Sequence, residues 1–565
     1  MNYSKITLFL LLVLLAFQSE ARKVSCLTSG LRKKYCNTDY IVVGVGTAGG
    51  AVSNMLSADN TTSVLALHSG ENLTQDPLIK FSAFAPLVVA SALVGSSFFE
   101  TGDSVPQPNA NNRELLWAMG LPEGGASSIN AMAYVRGTNN TFVQWGALAG
   151  PNWSTSRMLS IYKQLENYQG QTPNPEFRGF SGPLEVRQVA PPTPLSIKFT
   201  QAIINAAGPS GVPTFPSTNV VDYNDPLTPI GASEQLQYTQ TGPIGVFRES
   251  SVNAFLNGSV VTPDGNGVNG RKLKILLEAT ALRVIWSGNT AIGVEYIQDG
   301  EVQQAYASKG VVVTAGLNSA PFLLRSGVGP SSLLQSLGIP VIADNPLVGQ
   351  GLVDQYFVPL LWSTDLADTP FPLVDPNSVF SQIAWLPDPT GLPNVRAFHF
   401  ATINPIPGIA LTLFSICLTK STGSVTINSA DPLVPFVLDN GLFNNPDDLA
   451  LYQRGLQIWV ANIVTQLQLI DPNYQLVFPN PSILSDPTLT IQFIKSFIVS
   501  NQNYQSQCRI AQSMANGVAD PTGRVFGTNG LYVADASAAP SLLDATCMAP
   551  AYLIGTNVAQ LLLGQ

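Results

Sequence analysis

The sequence predicts a mixed α/β protein: a Rossmann-type dinucleotide-binding domain, discontinuous along the chain, with a second domain inserted into it. Three observations predict this. "DYIVVGVGTAGGAVSNMLSADNTTSVLALHSG" reads as strand, glycine-rich turn, helix and second strand within about 30 residues. Far downstream, "KGVVVTAG" (309–316) is another buried strand ending in glycine. The C-terminal "GLYVADASAAPSLLDATCMAPAYLIGTNVAQLLL" is strand, turn and apolar helix. The elements of one nucleotide fold are thus spread from residue 39 to 565, and the 565 residues leave room for another domain between them.

The chain opens with "MNYSKITLFLLLVLLAFQSEARKVSC". Lys5 gives a positive start, and Ile6 to Phe17 form an apolar run too short to span a bilayer. Ser19 and Ala21 place small residues at the −3 and −1 positions of a cleavage site, so a secretory signal peptide over 1–21 is expected, followed by a linker over 22–37. An uncleaved anchor is the alternative. Ile41 to Val43 read as a parallel strand. Gly44 then permits the tight turn, Gly46 lets backbone approach a pyrophosphate, and Gly49 lets helix and strand pack closely. The helix N-terminus so placed faces an anion. The second strand, Ser63 to Leu67, ends at His68, where an acidic residue would ordinarily bond the adenosine ribose. An imidazole makes one such bond, so weaker binding is expected at this corner.

Phe81 to Phe99 carry no charge, which meets a crude length test for a membrane span. Pro86, Gly95 and four serines interrupt the stretch, so a buried segment is the plainer reading. Lys272 to Ile297 read as a β-meander turning at Ser287-Gly288-Asn289. Gly423 to Pro432 form an alternating strand with Val425 and Ile427 on one face. Asp447 to Val464 have helical spacing and an acidic start.

Hydrophobic residues make up 45% of the chain, but charged residues only 11%, less than half the usual ~25%. The net charge is −9 with no basic stripe, which argues against a nucleic-acid partner. Sequons at Asn60, Asn72, Asn139, Asn152 and Asn257 suit a secreted chain whose surface is hydrated by glycans rather than charge. The five cysteines are too few for a disulfide scaffold, although Cys26 and Cys36 could pair in an oxidising compartment. With two histidines and no Cys-x-x-Cys, no metal site is expected.

Five ordered segments carry a family resemblance: "DYIVVGVGTAGG", "GGASSINAMAYVRG" (124–137), "TAGLNSAPFLLRSGVGP" (314–330), "NPLVGQGLVDQ" (345–355) and "LYVADASAAP" (531–540). Over about residues 38 to 565 the chain resembles the glucose–methanol–choline (GMC) oxidoreductases, FAD enzymes that include aryl-alcohol oxidase and glucose oxidase. The resemblance implies a Rossmann-type FAD-binding domain and an inserted α+β substrate domain built on an antiparallel sheet. The first would take 38–70, 113–150, 228–350 and 505–565, the second 151–227 and 351–504, with 71–112 a lid or connecting segment. It further implies non-covalent FAD, its pyrophosphate held by Gly44, Gly46 and Gly49. Gly124, Gly125 and Asn130 would line the flavin, the Val284 backbone would lie by the adenine, and Asp535 would reach the ribityl and phosphate region.

The departures bear on chemistry. Such enzymes move hydride from an alcohol to the flavin while a histidine takes the hydroxyl proton. That histidine's position is Gln507, seven residues before Met514. The family's second residue, a His or Asn, matches Thr546, and a third histidine matches Gln355. An amide or hydroxyl accepts no proton at ordinary pH, and general-base help is worth roughly 10²–10⁴ in rate. Asp544 and His399 are the stand-in bases to consider; a turn cap and a strand-face residue are their plainer readings. Met119 and Leu121 flank Gly120 where the family is usually basic, and Glu123 replaces a usual leucine, adding charge beside an anionic ligand. Cys508 and Cys547 each follow an altered position; a disulfide sealing the site and two small buried thiols are both open readings.

The expected function is therefore a secreted flavoprotein whose alcohol oxidation is weak or lost. The alternative is a non-catalytic component of an extracellular coat or assembly. The partners are an alcohol-type small molecule in the first case and further copies of the chain in the second. A flavin reaction that needs no base would be a third class, but no residue points to it.

Overall fold

The computed structural model describes residues 32–189, 191–207, 220–243, 246–369, 380–392 and 394–565. The signal-peptide reading and Cys26, with its proposed pairing to Cys36, lie outside them.

Valine-rich strands buried on both faces build the first sheet. Arg32–Val43 pairs in parallel with Val64–Leu67 on one side and with Glu301–Val313 on the other. Ile41, Val42 and Val311 to Val313 are fully buried, as a parallel sheet covered on both faces requires. Leu531–Val533 adds in parallel to Glu301–Val313. Antiparallel Thr280–Ser287, Thr290–Gln298 and the first half of Glu301–Val313 form the meander, turning at Gly288-Asn289. Leu273–Leu276, read above as part of that meander, instead runs parallel to Val64–Leu67.

The helix Thr47–Leu56 follows the glycine turn, and the C-terminal helix Met548–Leu562 packs on it. The contact is close at Gly555, where an added Cβ would lie 3.1 Å from the Ala48 carbonyl oxygen. The second half of the molecule is an antiparallel sheet in the order Gln475–Phe478, Tyr356–Ser363, Ile409–Ile416, Phe398–Ile406, Gln382–Leu386 and Gly231–Ser233. Its aromatic core gathers Trp362, Phe398, Phe414, Tyr452 and Trp459. Gly231–Ser233 joins this sheet although it comes from the 228–350 stretch assigned above to the nucleotide half.

The uncharged 81–99 stretch folds into short helical turns, among them Ala85–Ser91, and a strand, Phe99–Asp103. Among the described residues no helix is long and apolar enough to cross a membrane. The acidic-start helix begins at Pro446, capped by Asn445, and continues through a π turn at Leu456–Val460 to Ile470. The π turn follows Gly455, whose added Cβ would meet the Phe414 and Phe398 rings at 2.5 and 2.6 Å.

Candidate functional site

Two glycine loops face each other at the C-terminal edge of the first sheet. Gly44 adopts φ +98°, and a Cβ there would lie 2.6 Å from the Thr314 carbonyl oxygen. A Cβ on Gly49 would lie 1.9 Å from the Gly44 oxygen, so helix and strand meet as closely as the fingerprint demands. Gly46 caps the helix Thr47–Leu56 without any side chain on the first-turn N–H groups. A Cβ on Gly46 would touch only the Gly125 Cα, at 3.9 Å. Gly124 and Gly125, at φ +89° and +54°, form the opposite wall, and the Gly124 N–H donates to the Val45 carbonyl at 2.8 Å. This cradle of backbone donors, open only because its walls lack side chains, fits a pyrophosphate.

His68 ties the two loops together. Its Nδ1 accepts the Val45 N–H at 3.2 Å and its Nε2 lies 3.0 Å from the Leu121 carbonyl, which fixes the tautomer with hydrogen on Nε2. Burial lowers its pKa. Both nitrogens are committed, so the side chain expected to touch the ribose serves as a cross-link.

Asp535 follows the strand Leu531–Val533. Its Oδ2 accepts the Gly316 N–H and the Ser319 hydroxyl, each at 2.7 Å, and its Oδ1 accepts the Ser537 N–H. It therefore fixes the Gly316 turn beside the cradle. The Val284 N–H donates to Ser326 Oγ at 3.0 Å. Asn130 is held on three sides: its Oδ1 accepts the Met132 N–H and Arg248 Nη1, and its Nδ2 points at Met548 Sδ, 3.0 Å away. Arg248 was missed from sequence. It is buried, bonds the carbonyls of Ile79, Ser127 and Asn130, and has no carboxylate partner among the described residues, so burial brings its pKa down to about 9.

The positions matched to proton acceptors hold neutral groups. Gln507 lies on a segment that runs beside 536–538. Its Nε2 donates to the Gly316 carbonyl at 3.2 Å, while its buried Oε1 has no partner among the described residues. Thr546 Oγ1 is likewise buried and, among the described residues, unpartnered. Gln355 Nε2 donates to the carbonyls of Leu543 and Ala545, and its Oε1 accepts from Asn503 Nδ2. Asn503 Oδ1 then accepts the Cys547 N–H at 3.0 Å. The structure thus joins Gln355 to the 543–547 loop; among the described residues no hydrogen bond joins Gln507 to Thr546.

Of the stand-in bases, Asp544 is occupied and His399 is a weak base. Asp544 accepts the Thr138 N–H and the hydroxyls of Thr138 and Thr141, fastening the start of helix Asn139–Ala149. His399 stacks on Trp385 at 5.1 Å, and burial with the nearby Arg396 charge brings its pKa down to about 3. The disulfide reading is corrected: Cys508 and Cys547 are both free thiols. Cys547 Sγ donates to the Asn503 carbonyl at 3.2 Å, and burial raises both thiol pKa values.

Among the described residues, five carboxylic acids shift upward through loss of hydration: Asp354, Glu123, Glu249, Asp535 and Glu100. Asp354 rises to about 7, with its oxygens taken by Ser500 and the N–H groups of Gln355 and Asn503; Glu123 rises to about 7; Glu249, near Glu185, rises to about 8. Each binds its proton more tightly folded than unfolded, so its stabilising effect is lost as pH rises toward the folded value. His68 and His399, held neutral, oppose this below about pH 6.5. Thermal melts should therefore show stability falling between about pH 6.5 and 8, and Asp354→Asn should flatten the fall.

Comparisons with known proteins agree with this geometry. A family model for GMC oxidoreductases matches residues 38–357 with its N-terminal part and 419–555 with its C-terminal part. An alcohol dehydrogenase (acceptor) of Pseudomonas putida is 28% identical, covering 93% of this chain and 95% of its own. An oxygen-dependent choline dehydrogenase of Rhizobium etli is also 28% identical, with 93% and 96% covered. Among solved structures, pyridoxine 4-oxidase from Mesorbium loti superposes with a TM-score of 0.79 at 23% identity, covering 94% of this chain and 100% of its own. An FAD-dependent oxidoreductase from Chaetomium thermophilum gives 0.78 at 23% identity, with 94% and 99% covered.

Proposed function

Because the chain belongs to the GMC oxidoreductase family, we propose that it is a secreted member whose oxidation of alcohols is weak or lost. The family's cofactor is FAD, and the residues present fit it. Gly44, Gly46, Gly49, Gly124 and Gly125 would hold the pyrophosphate, while Asn130 and the Gly316 turn set by Asp535 would flank the flavin. Bound FAD supplies a hydride acceptor. What this chain's residues would have to add is an acceptor for the hydroxyl proton. The observation that carries the reading is that Gln507, Thr546 and Gln355 are neutral, Asp544 is tied to Thr138 and Thr141, and burial with the Arg396 charge leaves His399 too weak a base, its pKa brought down to about 3.

Secretion rests on the N-terminal sequence and the sequons. Asn60, Asn72, Asn139 and Asn257 are exposed, and Asn152 is half-buried beside the fully buried Trp153. The side-chain oxygens of Asn72 and Asn257 accept the Thr74 and Ser259 hydroxyls at 2.6 Å. Expression in a eukaryotic secretory host should yield protein cleaved near Ala21, yellow with FAD. Peptide mass spectrometry after glycosidase treatment should find glycans at the four exposed sites and none at Asn152. Retention of unglycosylated protein inside the cell would contradict secretion.

The second reading, an extracellular assembly component, draws on exposed apolar side chains such as Leu93 (71%) and Leu469 (74%) on a charge-poor surface. Colourless protein that multimerises in light scattering would favour it.

A further inference from the structure

Glu123 occupies the corner where a Rossmann fold meets the adenosine ribose. Three hydrogen bonds hold its loop against the end of the second strand and a fourth holds it against the first glycine turn. His68 Nε2 meets the Leu121 carbonyl at 3.0 Å, the Glu123 N–H donates to the Glu71 carbonyl at 2.9 Å, Asn72 Nδ2 donates to Glu123 Oε2 at 2.7 Å, and the Gly124 N–H donates to Val45 at 2.8 Å. The fold ordinarily reads the ribose with an acid at the end of the second strand. Here that position is His68, and neither of its nitrogens is free. Of the two acids on these loops, Glu71 is exposed and Glu123 is 4% exposed. Glu123 Oε1 has no partner among the described residues.

We propose that Glu123 reads the adenosine ribose of FAD in this chain, bonding a ribose hydroxyl in place of the acid missing from the second strand. This rests on FAD being the bound cofactor. The leucine usual at this position has no polar atom for such a bond. Burial pushes the Glu123 carboxyl up to about 7, so near neutrality it carries only part of a charge against the nearby pyrophosphate. Protonated, it donates to a hydroxyl; ionised, it accepts from one. Asn72 holds the other oxygen, and as a glycosylated amide it would keep one hydrogen for that bond.

Equilibrium titrations of the full-length protein with FAD, FMN, ADP and the 2′- and 3′-deoxy analogues of ADP, read by flavin fluorescence and calorimetry, test this. Glu123→Leu is expected to weaken FAD and ADP about tenfold and leave FMN unchanged, while Glu123→Gln stays within about threefold of the parent. The parent should prefer ADP over one deoxy analogue by about tenfold, a result that needs no variant to fold. Tighter FAD binding by Glu123→Leu would mean the carboxylate repels the pyrophosphate, and the proposal fails. Equal affinity for ADP and both deoxy analogues, or an equal loss for FMN, also overturns it. If the parent binds neither FAD nor ADP, the cofactor assignment fails with it.

Discussion

Gln507→His combined with Thr546→His is expected to raise the rate of flavin reduction by simple primary alcohols roughly 10²- to 10⁴-fold, the usual worth of a positioned general base. The local structure can accept the first change. A ring N–H can replace the Gln507 Nε2 donor to the Gly316 carbonyl, and the second ring nitrogen then stands where Oε1 is buried without a partner among the described residues. At Thr546, the hydroxyl it displaces makes no hydrogen bond to any described residue that would be lost. Each single variant should gain less than the pair. Rapid-mixing absorbance under anaerobic conditions measures the gain. No gain in a folded, yellow double variant would place the defect beyond these two side chains, in Met119, Leu121 or the ribose corner.

Glu166→Gln is expected to cost about 3–5 kcal/mol of stability, the usual penalty for stranding buried charge. Glu166 is fully buried, pairs with Arg136, lies 3.4 Å from Arg178 and accepts the Gly179 N–H. The two guanidiniums lie over the Tyr162 and Tyr168 rings and are almost wholly buried. Asp222, 3.7 Å from Arg178, would be left to offset both positive charges. Urea unfolding measures the loss; a change below about 1 kcal/mol would show that the network relaxes or admits water.

The parts of the fold governed by local chemistry were legible. The second strand begins one residue from its expected start, and the turn at Gly288-Asn289 falls where the sequence places it. Leu273–Leu276 was misassigned because a four-residue strand carries no signal that separates a parallel partner about 200 residues upstream from a hairpin neighbour. The helix from Pro446 outran its expected end at Val464 and reaches Ile470, since Leu467 continues the buried face that Ile463 and Val464 present. At the site, the glycines and the missing histidines were readable as residue types. The commitment of His68 to Val45 and Leu121, the Gln355–Asn503–Cys547 chain and the Arg248–Asn130–Met548 cluster were not, since each joins segments far apart in sequence.

The dependence of anaerobic flavin reduction on pH, in the FAD-loaded parent with a panel of primary alcohols, tests the central claim most directly. If no side chain takes the hydroxyl proton, hydroxide must, and a slow rate should climb about tenfold per pH unit without levelling. A fast rate that reaches a plateau near neutral pH would reveal a working base in the protein and contradict the account.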